Sequence, residues 1–216
     1  MNCIVTAGPT YEPLDEVRRL TNSSTGRLGS ELANYLTARG HRVTLLLGEQ
    51  ATYRGEQRAG KVENFTTTAN LRERLEARSR GPVDAVFHAA AVSDFAFGKI
   101  WMRSASGELT EIKSGKISTR QDALMAELTP TVKIIAGLRE WYPMSLLVGW
   151  KFEVAGGRAE VITLAERQMA ECRTNACVAN GRAYGPGFGL VTGPGKCLHL
   201  ADAAALFAAL EQLPRQ

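Results

Sequence analysis

Apolar residues along this chain fall into short, dense runs separated by stretches with helical spacing, and the alternation repeats almost from end to end. Cys3-Ile4-Val5-Thr6-Ala7, closed by Gly8-Pro9, has the pattern of a fully buried strand followed by a turn. Residues 26–39 place Leu28, Leu32, Ala33 and Leu36 on one stripe, and Gly40 stops the helix. Residues 8–25 between them read as a long loop. Residues 43–47 form the next buried run, and a strand, helix, strand order favours a parallel crossover.

Strands at 62–65, 85–89, 146–150 and 177–179 and helices at 70–79, 132–142 and 158–172 continue the series. Residues 189–192 and 197–200 around Gly193-Pro194-Gly195 read as a hairpin, and an Ala-rich helix covers 203–213. This alternation predicts an α/β fold with a doubly wound, mostly parallel sheet and a C-terminal hairpin. Residues 94–128 interrupt it with Gly, Ser, Lys and short alternating pieces, as expected of an excursion serving as a lid, a dimer arm or both. No linker or internal repeat divides the chain, so a single domain over 1–216 is expected.

Composition narrows the class. With 44% hydrophobic and 22% charged residues, the chain is neither collagen-like, disordered nor coiled coil. Its longest apolar stretches, 85–92 and 203–210, fall short of the roughly 18 residues that suggest a membrane span. No basic region precedes the few apolar residues at the N-terminus, which argues against a signal peptide and for the cytoplasm. Twenty-six Lys and Arg against 22 Asp and Glu leave a net charge of +4. The excess is scattered: Arg72, Arg74, Arg78 and Arg80 interleave with Glu73 and Glu76, which fits a solvated helix face better than a nucleic-acid stripe. Cys3, Cys172, Cys177 and Cys197 contain no CxxC pair and read as small apolar core residues. His41, His88 and His199 lack metal-ligand spacing, so no protein-built metal site is expected.

Open parallel sheets bind ligands beyond the carboxyl ends of their strands, which directs attention to residues 8–26. Thr21-Asn22-Ser23-Ser24-Thr25-Gly26-Arg27-Leu28-Gly29 enters a helix with hydroxyls and a glycine where backbone amides can meet an anion. Capping by Ser24 or Thr25 accounts for the same residues without a ligand. The dinucleotide fingerprint GxGxxG is absent after the first strand, and no Tyr is followed by Lys four residues on, as a short-chain reductase requires. Gly55 to Lys61 matches GxxxxGK, but Val62 replaces the magnesium-binding hydroxyl and a strand follows instead of a helix. Glu49 stands where a ribose hydroxyl could be held, and equally where an isolated exposed Glu would be.

Several segments together resemble one family. Thr6-Ala7-Gly8-Pro9-Thr10, Glu12-Pro13-Leu14-Asp15, Val17-Arg18 and Asn22-Ser23-Ser24-Thr25-Gly26-Arg27-Leu28-Gly29 are similar to the opening of phosphopantothenate-cysteine ligases. Ala89-Ala90-Ala91-Val92-Ser93-Asp94-Phe95, Lys116-Ile117-Ser118-Thr119, Val148-Gly149-Trp150-Lys151-Phe152-Glu153 and Val178-Ala179-Asn180 follow in register. The resemblance implies a Rossmann-like domain that joins 4'-phosphopantothenate to cysteine in coenzyme A synthesis. A nucleoside triphosphate, CTP or ATP, with Mg2+, would first activate the carboxylate as an acyl-nucleotide.

The same resemblance implies the site. Asn22 would donate to the acyl oxygen, while Gly8, Ser24, Gly26 and Gly29 cradle the triphosphate. Ala90, Ala91 and Asp94 would hold the pantothenate part. Arg18 would reach the substrate phosphate from the neighbouring subunit of a homodimer, and Lys116 would meet phosphate or developing negative charge. Trp150 and Asn180 would line the nucleotide pocket. Gly181 departs from the Asp of many bacterial members, and Lys151 and the Lys-Ile-Ser-Thr segment match separate eukaryotic and some stand-alone bacterial enzymes. No flavin-binding decarboxylase half precedes Met1, so a fused second activity is not expected here. Neither nucleic acid nor a membrane is an expected partner. Read from the residues without the family, a nucleotide-binding oxidoreductase or an inactive nucleotide sensor on the same fold stays open.

Overall fold

The computed structural model describes residues 1–112, 115–117 and 123–213. The first buried run forms β1 (Asn2–Ala7), and a short hairpin of β2 (Tyr11–Pro13) and β3 (Arg19–Thr21) follows. After it come α1 (Arg27–Ala38), β4 (Arg42–Gly48), β5 (Lys61–Phe65), α2 (Thr68–Arg78) and β6 (Ala85–His88). An antiparallel excursion contains β7 (Phe95–Arg103), β8 (Leu109–Glu111) and β9 (Ala123–Pro130). The chain then returns through α3 (Ile134–Trp141), β10 (Leu146–Phe152), α4 (Arg158–Cys172) and β11 (Ala176–Asn180). It closes with the hairpin β12 (Phe188–Gly193) and β13 (Lys196–Leu200), then α5 (Ala203–Glu211).

The main sheet runs β13-β12-β11-β10-β6-β1-β4-β5. Its strands from β5 to β11 are parallel, and the last hairpin adds antiparallel. Taken in chain order, the six parallel strands lie as 3-2-1-4-5-6, the doubly wound arrangement whose direction reverses between the first and fourth, here β1 and β6. The period-2 rule sends successive strand residues to opposite faces. Val5, Ala7, Phe87, Val148 and Val178 pack with α1 and α5 on one face. Ile4, Leu46, Val86 and Leu147 meet α2 and α3 on the other, where α4 covers Cys177 and Ala179. None of the four cysteines is in a disulfide, and Cys3, Cys172 and Cys177 are buried as core residues.

Two expectations need correction. Residues 8–25 are not one loop: the β2–β3 hairpin stands within them, and it is hard to see in sequence because all of β3 is solvent-exposed. Residues 94–128 carry regular strands whose β7–β9 pairing runs on to Pro130, although β9 buries no face. At the root of this arm the Thr131 amide donates to the Asp94 carbonyl at 2.9 Å. The C-terminus of α1 is as expected. Gly40, at φ 84°, ends it, with the Gly40 amide on the Thr37 carbonyl and the His41 amide on the Leu36 carbonyl.

Candidate active site

The reversal falls between β1 and β6, where a doubly wound sheet parts beyond the carboxyl ends of its strands, and three glycines lie there. Gly8 leaves β1 at φ 79°, and Gly26 enters α1 at φ 78°. A Cβ on either would come within about 3 Å of Ala51 Cβ, at 2.9 and 3.0 Å. A Cβ on Gly29 would stand 2.6 Å from Ala7 Cβ, so glycine lets α1 press on β1. Tight turn, close backbone approach and helix-to-strand packing are the three tasks of a dinucleotide fingerprint. Here residues 9–25 split that fingerprint, and the fold rejoins it.

The N-terminus of α1 is left open for an anion. Its N-cap is Gly26, which makes no side-chain cap bond, and its first turn has no acidic residue. Of the capping by Ser24 or Thr25 that needs no ligand, one bond forms. Thr25 Oγ1 accepts only from the Arg27 amide, at 3.3 Å, and Ser24 is half-buried beside this turn.

Across the crevice, Ala89 to Ala91 extend the pairing of β6 with β1. The Ala91 amide donates to the Gly8 carbonyl at 3.0 Å, and the Thr10 amide donates to the Ala91 carbonyl at 3.1 Å. The same carbonyl accepts Asn22 Nδ2 at 3.2 Å. One hydrogen of the Asn22 amide is thus spent on orientation, and the rest of the side chain is exposed. Below, Thr6 Oγ1 accepts the Ala90 amide at 3.1 Å and lies 2.9 Å from His88 Nδ1. A hydroxyl that accepts from the amide can donate to a neutral imidazole, and burial depresses the His88 pKa to about 4. Neutral at ordinary pH, His88 straps β6 to β1 through Thr6.

Trp150 and Asn180 lie on the same face of the neighbouring strands β10 and β11, at the carboxyl end. The Trp150 Nε1–H and Asn180 Oδ1 are buried without hydrogen-bond partners among the described residues. Each is a buried polar atom without a partner, the kind of group that a polar ligand can satisfy. Gly181 has its own reason: at φ 109°, its Cβ would fall 2.2 Å from the Glu153 carbonyl oxygen. Lys151 Nζ pairs with Glu153 at 3.0 Å. Asp94 is exposed at the root of the arm.

Arg18 and Lys116 are placed elsewhere. Arg18 sits at the tip of the β2–β3 hairpin, four residues from Asn22 and so roughly 13 Å away along an extended chain. It pairs with the buried Asp15, whose carboxyl is held far below the usual carboxylate range chiefly by that guanidinium. Arg18 Nη2 also donates to the Ile117 carbonyl at 2.7 Å, which ties the hairpin tip to the segment carrying Lys116. Ser118 and Thr119 of the Lys-Ile-Ser-Thr motif lie outside the described residues.

Residues 1–202 match the family described as DNA/pantothenate metabolism flavoprotein C-terminal domain. This chain belongs to that family. The coenzyme A biosynthesis bifunctional protein CoaBC of Thermococcus kodakarensis is 34% identical to it over 184 residues, which cover 84% of this chain and 42% of that protein. The CoaBC protein of Bacillus subtilis is 30% identical over 192 residues, covering 88% and 42%. The chain thus spans about two fifths of the length of these curated relatives. The DNA/pantothenate metabolism flavoprotein structure from Streptococcus pneumoniae superposes with a TM-score of 0.83 at 23% identity, over 98% of this chain and 97% of that one. A Cab2 mutant in complex with phosphopantothenate-cysteine superposes at 0.69 with 16% identity, over 98% and 89%. The structural likenesses establish the fold, and the family resemblance read from the motifs is borne out.

Within this pantothenate-metabolism family domain, sequence reading missed two features. The first is the reunited glycine fingerprint, whose only linear trace is Gly26-x-x-Gly29. The second is Asp15, which the sequence signals only as part of the family-like Glu12-Pro13-Leu14-Asp15 segment and by its i,i+3 spacing to Arg18. The Gly55–Lys61 run leads into the start of β5, at the opposite end of the sheet from the crevice. There Gly60 and Lys61 border an open cavity of about 640 Å³ with Arg42, Arg78 and Asn2. No phosphate loop forms. Glu49 faces Arg19 at 3.6 Å. No helix among the described residues is long and apolar enough to cross a membrane.

Proposed function

We propose that this domain, spanning 1–216 with 94–128 as its arm, is a phosphopantothenate-cysteine ligase of coenzyme A biosynthesis. It joins 4'-phosphopantothenate to L-cysteine through an acyl-nucleotide made from CTP or ATP. The observation that carries this reading is the crevice between β1 and β6. There the uncapped N-terminus of α1 and the glycines Gly8, Gly26 and Gly29 face Asn22 and Ala90-Ala91.

A carboxylate resists nucleophiles because its charge is delocalised. Its oxygen attacks the α-phosphorus of the triphosphate, pyrophosphate leaves, and a mixed anhydride remains. The cysteine amine then adds to the acyl carbon, loses its proton and expels the nucleoside monophosphate. Helix-terminal amides of Gly26 to Gly29, with Ser24, hold the phosphates, and the orphaned polar atoms of Trp150 and Asn180 receive the nucleoside. The remaining amide hydrogen of Asn22 meets the acyl oxygen as it gains charge. Ala90, Ala91 and Asp94 border the pantothenate arm, and Lys116 and Arg18 supply positive charge to phosphate.

Among the described residues, no group of three or more His, Cys, Asp or Glu converges. Mg2+ would come with the triphosphate, whose oxygens it favours, and would offset the phosphate charge. A cytoplasmic homodimer completes the reading, with Arg18 serving the site of a second copy. Exposed Phe95, Leu124, Met125 and Leu128 on the arm support such a contact.

The test is pyrophosphate release by the purified protein with 4'-phosphopantothenate, cysteine, Mg2+ and either CTP or ATP. Turnover with one of them is expected, and silence with both refutes the reading.

A further inference from the structure

We propose that Asp15 is a positioning residue, the pivot of a clamp that fixes the Ile117 peptide beside Lys116 and turns the free edge of Arg18 toward a phosphate. The substrate named here rests on the ligase reading above, whereas the clamp itself does not.

Asp15 sits on the exposed tip of a hairpin, yet its side chain is only 1% exposed. Oδ1 accepts the amides of Val17 and Arg18 at 3.0 and 2.8 Å, a local turn that many Asp residues make. Oδ2 does something longer in range. It accepts Arg18 Nε at 3.0 Å, Arg18 Nη2 at 2.5 Å, and the Ile117 amide, 102 residues away, at 3.2 Å. Arg18 Nη2 returns to the Ile117 carbonyl at 2.7 Å. Both main-chain polar groups of one residue are thereby held by one ion pair, while the Ile117 side chain is itself buried at 2% exposure. The Glu16 amide adds a bond to the Gly115 carbonyl at 2.9 Å, so both neighbours of Lys116 are gripped.

The guanidinium is divided by this arrangement. A guanidinium carries five N–H donors in a fixed fork. Nε and Nη2 serve Asp15 and Ile117, and Nη1 has no hydrogen-bond partner among the described residues. With Arg18 still 38% exposed, Nη1 is left to a ligand. A lone Arg on a hairpin tip would lose much rotamer freedom on meeting a phosphate. Two guanidinium donors on one carboxylate oxygen fix it beforehand. The clamp thus sets two cations, Arg18 and Lys116, in one frame.

Trypsin reads the clamp directly, because the Lys116–Ile117 bond is its substrate and the gripped peptide must be released before cleavage. In the full chain, Asp15→Asn should raise cleavage at Lys116 by about tenfold, with cleavage outside the hairpin tip unchanged. It should also raise KM for 4'-phosphopantothenate about tenfold with little change in KM for the triphosphate, and Asp15→Glu should recover part of both. Unchanged cleavage at Lys116 overturns the clamp, and faster cleavage with an unchanged KM overturns the positioning role. If Asp15→Asn does not fold, hydrogen exchange on the unaltered protein decides: a protected Ile117 amide supports the clamp, and one exchanging like an open loop refutes it. Absence of turnover in every protein, with cleavage still responding to Asp15, would refute the ligase reading and leave the clamp standing.

Discussion

The crevice between β1 and β6 and the tip of the β2–β3 hairpin both suit negative charge, but they are made of opposite materials. The crevice is backbone: buried Gly8, Gly26 and Gly29, an uncapped helix end, and Ala91 hydrogen-bonded to Gly8 and Thr10. The hairpin tip is side chain: one carboxylate and one guanidinium gripping a distant peptide. Backbone dipoles set in a packed core tolerate almost no added volume, because the surrounding atoms cannot yield. A half-exposed ion pair tolerates volume and is sensitive to charge, salt and the identity of its partner. The backbone of the crevice should therefore fail when volume is added, and the hairpin tip when charge is removed.

The largest expected effect falls on the crevice and needs no substitution. The buried His88 titrates at about 4, below its ordinary value of 6.5, so the folded state binds fewer protons than the unfolded one between these values. Stability is fully present above about pH 6.5 and falls with acidification, by about 3 kcal/mol at pH 4. Most of this loss should already be seen by pH 5, before carboxylates titrate. Urea midpoints measured from pH 7.5 to 4 check it, and a flat profile down to pH 5 would contradict the strap.

Next comes Asn22→Ala, expected to slow turnover about 10²-fold, or about 2.7 kcal/mol, with triphosphate affinity largely kept. Steady-state kinetics beside direct nucleotide titration separate the two. Gly29→Val should cost about 2 kcal/mol of folding stability by forcing α1 away from Ala7, and should weaken triphosphate binding with it. Denaturant unfolding measures the first and calorimetric titration the second. Smallest is Arg18→Ala, with KM for 4'-phosphopantothenate raised about tenfold, near 1.4 kcal/mol, and kcat little altered. Mixing it with Asn22→Ala protein should restore partial turnover if sites are shared across a dimer. Confirmed heterodimers without any recovery would assign Arg18 to its own subunit's site.

The two regions also differ in how far the sequence discloses them. Strands such as β1, β4 and β6 are buried on both faces, so each reads as a dense apolar run, and their alternation with helices was enough to predict the doubly wound sheet. The motifs at 22–29 and 89–95 likewise point to the crevice. Their geometry does not follow from the text, because Gly8 and Gly26 become neighbours only after residues 9–25 fold out as a hairpin. The arm was opaque for a different reason: β9 has no buried face, so no period-2 pattern marks it. Asp15 was invisible as a pivot because its decisive partner, Ile117, lies across the chain. Gly181, a departure from the family's pattern in sequence, is a plain steric requirement of Glu153 in space.

The most direct test of the crevice as the reacting centre omits the amine. Mixed with 4'-phosphopantothenate, Mg2+ and CTP or ATP but no cysteine, the protein should release one equivalent of pyrophosphate per active site in a burst and then stall with its acyl-nucleotide bound. The burst should be slowed about 10²-fold in Asn22→Ala. A burst of equal rate in Asn22→Ala, or none with either triphosphate, would contradict the account.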